Sequence, residues 1–402
     1  MGAAGTRGPA QTTGLAALAG TALVLLGVPG TGRPDERPLS AGAAIAFLRD
    51  GDVWTMREDG SEQAQLTHLR DVGFLSWSLD GRRIAFARPN AIWVMTDTGH
   101  RVREVVRTGH PGARLGAETD RLVERGCSLS EPCLLPTFTW LPDGRHLAFA
   151  SPDQVCVVRV STGAISQVTH FAEGWCDEVC SSPDGRQLAF VHLQPLEKVP
   201  DETDGPHWHR ERLHLLDLQT SELTCIVDGD EPGPQGERLI VSLSFGLGGP
   251  HLIYSDVPHA FGDGRVTSVD LPTLQPSDLS DGSTGRLAHW YPVGSPKGEQ
   301  LAALCFGWEE DASRYGDGIA TYDPQVSAWR YYWLTPWDDP EPTHDDLSYS
   351  PDGTRIAYVQ RAGHRAVPAV CVLNLRYGGV RRLTDNATMP RWRPRAATAA
   401  DG

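Results

Sequence analysis

The feature that most limits what this chain can become is a phrase repeated at long intervals: Trp77-Ser78-Leu79-Asp80-Gly81, Trp140-Leu141-Pro142-Asp143-Gly144, Ser182-Pro183-Asp184-Gly185, Ser295-Pro296-Lys297-Gly298 and Tyr349-Ser350-Pro351-Asp352-Gly353. Each is followed by a short apolar run: Ile84-Ala85-Phe86, Leu147-Ala148-Phe149, Leu188-Ala189-Phe190, Leu301-Ala302-Ala303 and Ile356-Ala357-Tyr358. A weaker copy, Ser244-Phe245 to Gly249-Pro250 and on to His251-Leu252-Ile253-Tyr254, fills the gap between Gly185 and Ser295. The phrase encodes strand, tight turn, strand. Proline fixes φ at the first corner, aspartate accepts a hydrogen bond from the backbone beyond it, and glycine takes the positive φ that strains other residues. A third apolar run follows, as in Ile92-Trp93-Val94-Met95 or Val370-Cys371-Val372-Leu373, and a fourth ends in Leu66-Thr67, Val168-Thr169 or Leu383-Thr384. Four antiparallel strands per unit describe a propeller blade.

The ends of the chain complement each other. Ile45-Ala46-Phe47, Val53-Trp54-Thr55-Met56 and Leu66-Thr67 supply the later strands of a unit that lacks its leading phrase, and Pro390-Arg391-Trp392-Arg393-Pro394 supplies the missing strand. One blade completed by both termini closes the ring and hides strand edges that would otherwise invite aggregation. The expectation is an all-β, seven-bladed β-propeller over residues 44–394, at about 50 residues per blade. Residues 1–43 then read as a signal peptide and linker, and 395–402 as a disordered tail.

These phrases resemble the TolB family and its relatives, whose blades carry Trp-Ser-Pro-Asp-Gly, Ile-Ala-Phe and Ile-Trp-Val-Met signatures. The resemblance covers roughly residues 44–394 and implies the fold; a structural repeat says little about activity. TolB itself has six such blades beside an N-terminal domain, so its particular partners are not implied. Relatives of this propeller also occur fused to serine peptidases of the prolyl oligopeptidase type. The chain ends close to the closing strand and has no Gly-x-Ser-x-Gly nucleophile elbow, so neither a hydrolase domain nor another C-terminal domain is expected.

The formal net charge of −15 and the lack of a basic stripe argue against nucleic acid, whose binding rests on clustered Lys and Arg. Near the N-terminus Arg7 is the only charge, and an apolar run extends from Gly14 to Val28. That run is shorter than the roughly 20 residues a membrane span needs, so a cleaved secretory signal is expected in preference to a membrane anchor, with Ala41 and Ala43 as small residues for cleavage. Without a following cysteine, a lipoprotein is disfavoured. The protein is therefore expected to be periplasmic, secreted or at the cell surface.

Export gives the eight cysteines a disulfide-permissive setting. Cys127 and Cys133 share one loop and can meet. Cys176 and Cys180 would lie about 13 Å apart in an extended strand, beyond the about 7 Å a bridge allows. Cys156, Cys225, Cys305 and Cys371 sit in apolar runs and read as buried small hydrophobes.

In a propeller the segments entering the innermost strands gather around the channel. Counting back nine residues from each turn glycine reaches His344, His289 and Cys176, with apolar Val72, Leu135 and Ile240 in the other units. Next to them stand Asp345, Trp290 and Asp177, then Asp346 and Glu178. These residues form the expected channel-mouth ligand site. Imidazole, thiol and carboxylate are donors that zinc and manganese accept, and His289 and His344 are the candidate metal ligands. The oligogalacturonate lyases, a related seven-bladed family with histidine-bound metal near the channel, are the precedent for an enzyme reading, though no lyase-specific motif is present.

Three further signals read mainly as structure. His207-Trp208-His209 lies in a polar insertion from Gln194 to Glu211, and alternate histidines on a strand share a face; with no third ligand, an exposed loop is favoured. Glu309-Glu310-Asp311, before Arg314-Tyr315-Gly316-Asp317, lacks the alternating oxygens of a calcium loop. Trp54, Trp77, Trp93, Trp140 and Trp392 occupy repeat positions and read as packing. Trp329, Tyr331, Tyr332, Trp333 and Trp337 are denser than the repeat needs; alternation puts Trp329, Tyr331 and Trp333 on one face and Tyr332 on the other, an aromatic surface suited to sugars or a protein.

The leading expectation is an exported scaffold that binds a protein, peptide or envelope polymer across the channel face. Nucleic acid is not an expected partner, no cofactor is required, and membrane contact is expected only through an uncleaved N-terminal segment. The alternatives are a metal-assisted enzyme such as a polysaccharide lyase, or one subunit of a larger envelope complex. Insertions at 109–136, 194–211 and 307–318 are the expected carriers of specificity.

Overall fold

The computed structural model describes residues 43–107, 137–151, 153–195, 209–229, 238–258, 264–280, 287–308, 315–334, 342–362 and 366–395. The apolar N-terminal run, Cys127, Cys133, His207, Trp208, Glu309 to Asp311 and Trp337 lie outside these residues. Among the described residues no helix is long and apolar enough to cross a membrane.

The described elements are 28 β-strands, β1 to β28 in chain order, forming seven four-stranded antiparallel sheets. The fold is a seven-bladed β-propeller. Its first blade joins β1 (Ile45–Arg49), β2 (Asp52–Met56) and β3 (Ala64–Gln65) to β28 (Thr388–Trp392) from the other end of the chain, in the order β28-β1-β2-β3. Ile45 pairs with Trp392 and Ala46 with Arg391, so the two ends share one sheet as expected. Every other blade uses four consecutive strands, and each innermost strand touches the next around the ring.

The repeated phrase performs the turn chemistry it implies. Gly81, Gly144, Gly185, Gly298 and Gly353 all have φ between 59° and 72°. In the Ser350 turn, Ser350 Oγ donates to Asp352 Oδ1 at 2.6 Å, Gly353 N donates to Ser350 O at 2.8 Å, and Arg355 N donates back to Ser350 Oγ at 3.0 Å. The turns at Ser78 and Ser182 repeat this network.

The apolar strand after each turn buries both faces because a blade is covered by neighbours on both sides. Seven hydrophobic clusters result, one at every seam between adjacent blades. Phe47, Phe86, Phe190 and Tyr358, at the aromatic position of the Ile-Ala-Phe runs, are fully buried; such a side chain contributes about 2–3 kcal/mol by leaving water. Trp77, Trp140 and Trp392 are buried as expected, while Trp54 and Trp93 stack on Phe47 and Phe86 from the solvent side.

Two details differ from expectation. Thr67 and Thr169 lie just beyond the outer strands, where their hydroxyls accept from Val53 N at 2.9 Å and Val155 N at 2.8 Å. A side chain there takes over a ladder bond after the strand itself has ended. Cys156, Cys305 and Cys371 are buried, but Cys225 is exposed. It sits on an outermost strand, Leu223–Asp228, where a strand-like run still has one wet face. The six described cysteines are free thiols.

Candidate functional site at the bulged rim

The innermost strands are not all regular. β12 (Trp175–Ser181), β16 (Arg238–Gly246), β20 (Leu287–Gly294), β24 (Pro342–Tyr349) and β28 each carry a register shift against the neighbouring strand. In four of them two residues oppose one, and the first bulged residue has positive φ: Glu178 (53°), Tyr291 (53°), Asp346 (59°) and Met389 (53°). Glycine normally fills that position, because a Cβ in the left-handed region costs roughly 1–2 kcal/mol. Four non-glycine residues held there at equivalent places make a bulged rim on the innermost strands of the fourth, sixth, seventh and first blades. A bulge also turns its side chains away from the regular alternation of the strand.

Asp346 ties two of these bulges together, its own and that of β28. Its Oδ2 accepts from Met389 N at 3.2 Å and its Oδ1 from Arg391 Nη2 at 3.4 Å, so one bulge grips the next. Ser348 Oγ accepts from Trp392 N at 3.0 Å below it. Arg391 also lies over the Phe74 ring on its other side, 5.9 Å from the centroid. A side chain that reaches the innermost strands of both flanking blades stands at the inner edge of the ring. Asp177 holds its own bulge, accepting from Glu178 N at 2.9 Å.

His289, Trp290 and Cys176 pack differently from the bulge residues. His289 is fully buried. Its ring stacks on Trp329 (centroids 4.2 Å apart, 21° between planes), and its Nε2 lies 3.3 Å from Tyr331 Oη. Trp329 Nε1 in turn donates to Leu279 O at 2.6 Å, across the seam to the fifth blade. His289 therefore belongs to an aromatic stack between the fifth and sixth blades. Trp290 packs against Phe306 at 5.4 Å and lies so close over Gly264 that a Cβ there would meet it at 1.8 Å. His344 and Asp345 pair through the backbone with Gln360 and Val359; their side chains lie outside what is described. Cys176 is buried in the seam between the third and fourth blades, and burial pushes its thiol far above the usual range. Among the described residues no three His, Cys, Asp or Glu side chains converge as metal ligands.

Of the dense aromatic run, Tyr332 is buried against the seventh blade and Trp329 faces the fifth, following the expected alternation. Tyr331 and Trp333 stack on each other at 5.6 Å and 9°.

Counting back from turn glycines could not find Arg391 or Met389, because the closing strand has no turn glycine after it. Tyr291 was reachable two residues beyond His289, at the position shared with Glu178 and Asp346.

No family model matches the chain, and no curated protein matches it. Solved structures do. An oligogalacturonate lyase in complex with manganese shares 14% identity, with 86% of this chain and 85% of that one covered at a TM-score of 0.54. An oligogalacturonate lyase from Vibrio parahaemolyticus shares 13%, covering 86% and 85% at 0.55. TolB from Acinetobacter baumannii shares 14%, covering 87% and 82% at 0.46. At these identities the likeness to the lyases is one of fold: this chain shares their propeller.

Proposed function

We propose that the protein is an exported binding scaffold that engages a protein, peptide or envelope polymer on the bulged end of its channel. One observation carries the reading: four equivalent non-glycine residues, Glu178, Tyr291, Asp346 and Met389, are held in the left-handed region on innermost strands, the last three of them on the adjoining sixth, seventh and first blades. Strain of this kind persists where the surroundings over-determine it, and it clusters at ligand sites. The rim carries carboxylates at Asp177, Glu178 and Asp346, one guanidinium at Arg391, and the rings of Phe74 and Tyr291, which suits a polar chain with cationic and apolar groups.

The test is capture from native envelope extract by immobilised wild-type protein and by Glu178→Lys, with circular dichroism confirming that both are folded. Partners retained by the wild type and lost by the variant support the reading; identical capture, or none, sinks it.

A metal-assisted polysaccharide lyase, with His289 and His344 as ligands, is the competing proposal, motivated by the fold shared with the lyases. The burial of His289 against Trp329 weighs against it. Stoichiometric divalent metal in purified protein, lost in the His289→Ala, His344→Ala double variant, would replace the scaffold reading with this one.

A further inference from the structure

A second unusual feature lies at the seam between the third and fourth blades. His192 on β13 (Gln187–Pro195) and His214 on β14 (His209–Asp217) are both buried, with ring centroids 5.9 Å apart. Phe171, from the chain that leads into β12, stacks on His192 at 3.8 Å and 12° and lies 5.5 Å from His214. Phe190 covers His214 from within its own sheet at 5.6 Å. His192 Nε2 lies 3.0 Å from Glu173 O and donates to it when the ring is neutral. Its Nδ1, and both nitrogens of His214, have no hydrogen-bond partner among the described residues. A neutral imidazole tolerates such a seat among aromatic rings; an imidazolium adds a charge and an N–H with nothing to receive it.

The seam is built to feel that change. Gly174 has φ +92°, and a Cβ there would lie 2.7 Å from His192 Nε2 and 2.3 Å from Leu193 O, so the entering chain lies flat on the histidine. Gln154 of the third blade holds Phe171 by both backbone groups, donating to its carbonyl at 2.8 Å and accepting from its N–H at 3.0 Å. Phe171 therefore moves with the third blade and His192 with the fourth.

We propose that His192 and His214 form an acid-operated latch on this seam: neutral, they hold the third and fourth blades together through Phe171 and Glu173; protonated, they release that contact.

The charged groups facing the pair favour this direction. Arg212 on β14 opposes protonation of both rings, while Asp228 on the outer strand favours it for His214 and Glu173 for His192. Arg212 is itself engaged by Asp228 at 3.0 Å and by Gln194; Arg210 lies 4.0 Å from Asp228. Asp153 of the third blade and Asp177 on β12 face the Cys176 thiol beside the pair. Burial first, then His192 and Arg212, push His214 down to about 4, and burial lowers His192 in the same direction. A histidine freed to water titrates near 6.5. The open form thus binds more protons between those values, and the latch is fully closed above about pH 6.5 and weakens as pH falls toward 4.

The test is amide hydrogen exchange on the full chain at pH 7 and pH 5, corrected for intrinsic rates. Protection over 171–176 and 188–193 is expected to fall more than tenfold at pH 5, with little change over the corresponding segment 73–77 of the second blade. His214→Phe, which keeps an apolar ring, is expected to remove that loss. Equal protection at both pH values in the wild type, or an equal loss in His214→Phe, overturns the latch. Should that variant not fold, imidazole titration of the wild type decides: a His214 titrating near 6.5 overturns the proposal, and one well below it upholds it.

Discussion

Asp346 and Met389 occupy the same bulge position in adjacent blades, and the carboxylate of one accepts the backbone N–H of the other at 3.2 Å. The last blade thereby holds the strand that closes the ring, using the side chain of a residue whose own backbone is in the left-handed region.

That arrangement separates two effects at one residue. Asp346→Ala removes the acceptor for Met389 and Arg391 but leaves a Cβ at φ 59°; it is expected to cost about 1–3 kcal/mol. Asp346→Gly loses the same bonds and relieves the strain, so it should be the more stable of the two by about 1 kcal/mol. Urea unfolding measures both. Equal stabilities would show that the backbone at this bulge is unstrained.

Closure itself is tested at Trp392. Its side chain is buried in the seam between the seventh and first blades, with Arg355 stacked 4.9 Å above the ring. Trp392→Ala should destabilise the protein by about 3–5 kcal/mol. Tyr377→Ala, on a side chain 74% exposed, should stay within about 0.5 kcal/mol. Comparable effects from the two would mean that the terminal strand contributes little to the ring.

The repeat was readable because its turns are chemically demanding: Ser350, Asp352 and Gly353 each have a role that few residue types fill, and the apolar run after them must bury both faces. Blade number followed from the shared first blade at Ile45 and Trp392. The rim was only half readable. Glu178 and Asp346 were found by spacing, but a bulge leaves no compositional mark when the left-handed residue is not glycine, and Met389 and Arg391 sit in the one unit without a turn. His289 stood at the expected rung, opposite Cys305, yet its side chain enters the seam and stacks on Trp329; spacing along the chain does not show which way a side chain packs. His192 and His214 look like ordinary strand residues; only their packing against Phe171 distinguishes them.

Gly318 shows how tightly that sixth blade is built. A Cβ at this residue would lie 2.3 Å from Tyr332 O and 3.1 Å from Trp333 Cα, both backbone atoms. Gly353 has open space around it but φ +72°. Gly353→Ala should therefore cost about 1–2 kcal/mol through conformation alone, and Gly318→Ala clearly more, because a strand has to move. Calorimetric melting of the two variants ranks them, and the reverse order would contradict the close approach at Tyr332.

The turn aspartates give the protein an acid limb distinct from that of the histidine latch. Burial alone would raise the Asp352 carboxyl, but hydrogen bonds from Ser350 and Thr354 and the nearby Arg355 outweigh it and bring the group down to about 2. Asp80 is lowered in the same way, its burial outweighed chiefly by Ser78, and at Asp184 the hydrogen bond from Ser182 dominates. A carboxyl whose folded value lies below its unfolded one contributes stability in full above about pH 4 and loses it as pH falls toward the folded value. Stability should thus decline in two stages, between about pH 6.5 and 4 through His214 and below about pH 4 through the turns. Asp352→Asn keeps an oxygen for Ser350 Oγ but no charge, so it should be less stable than wild type at pH 5, with the gap narrowing by pH 2.5. Urea midpoints across that range measure the gap, and a gap that stays constant with pH would show that the charge on Asp352 does not stabilise the turn.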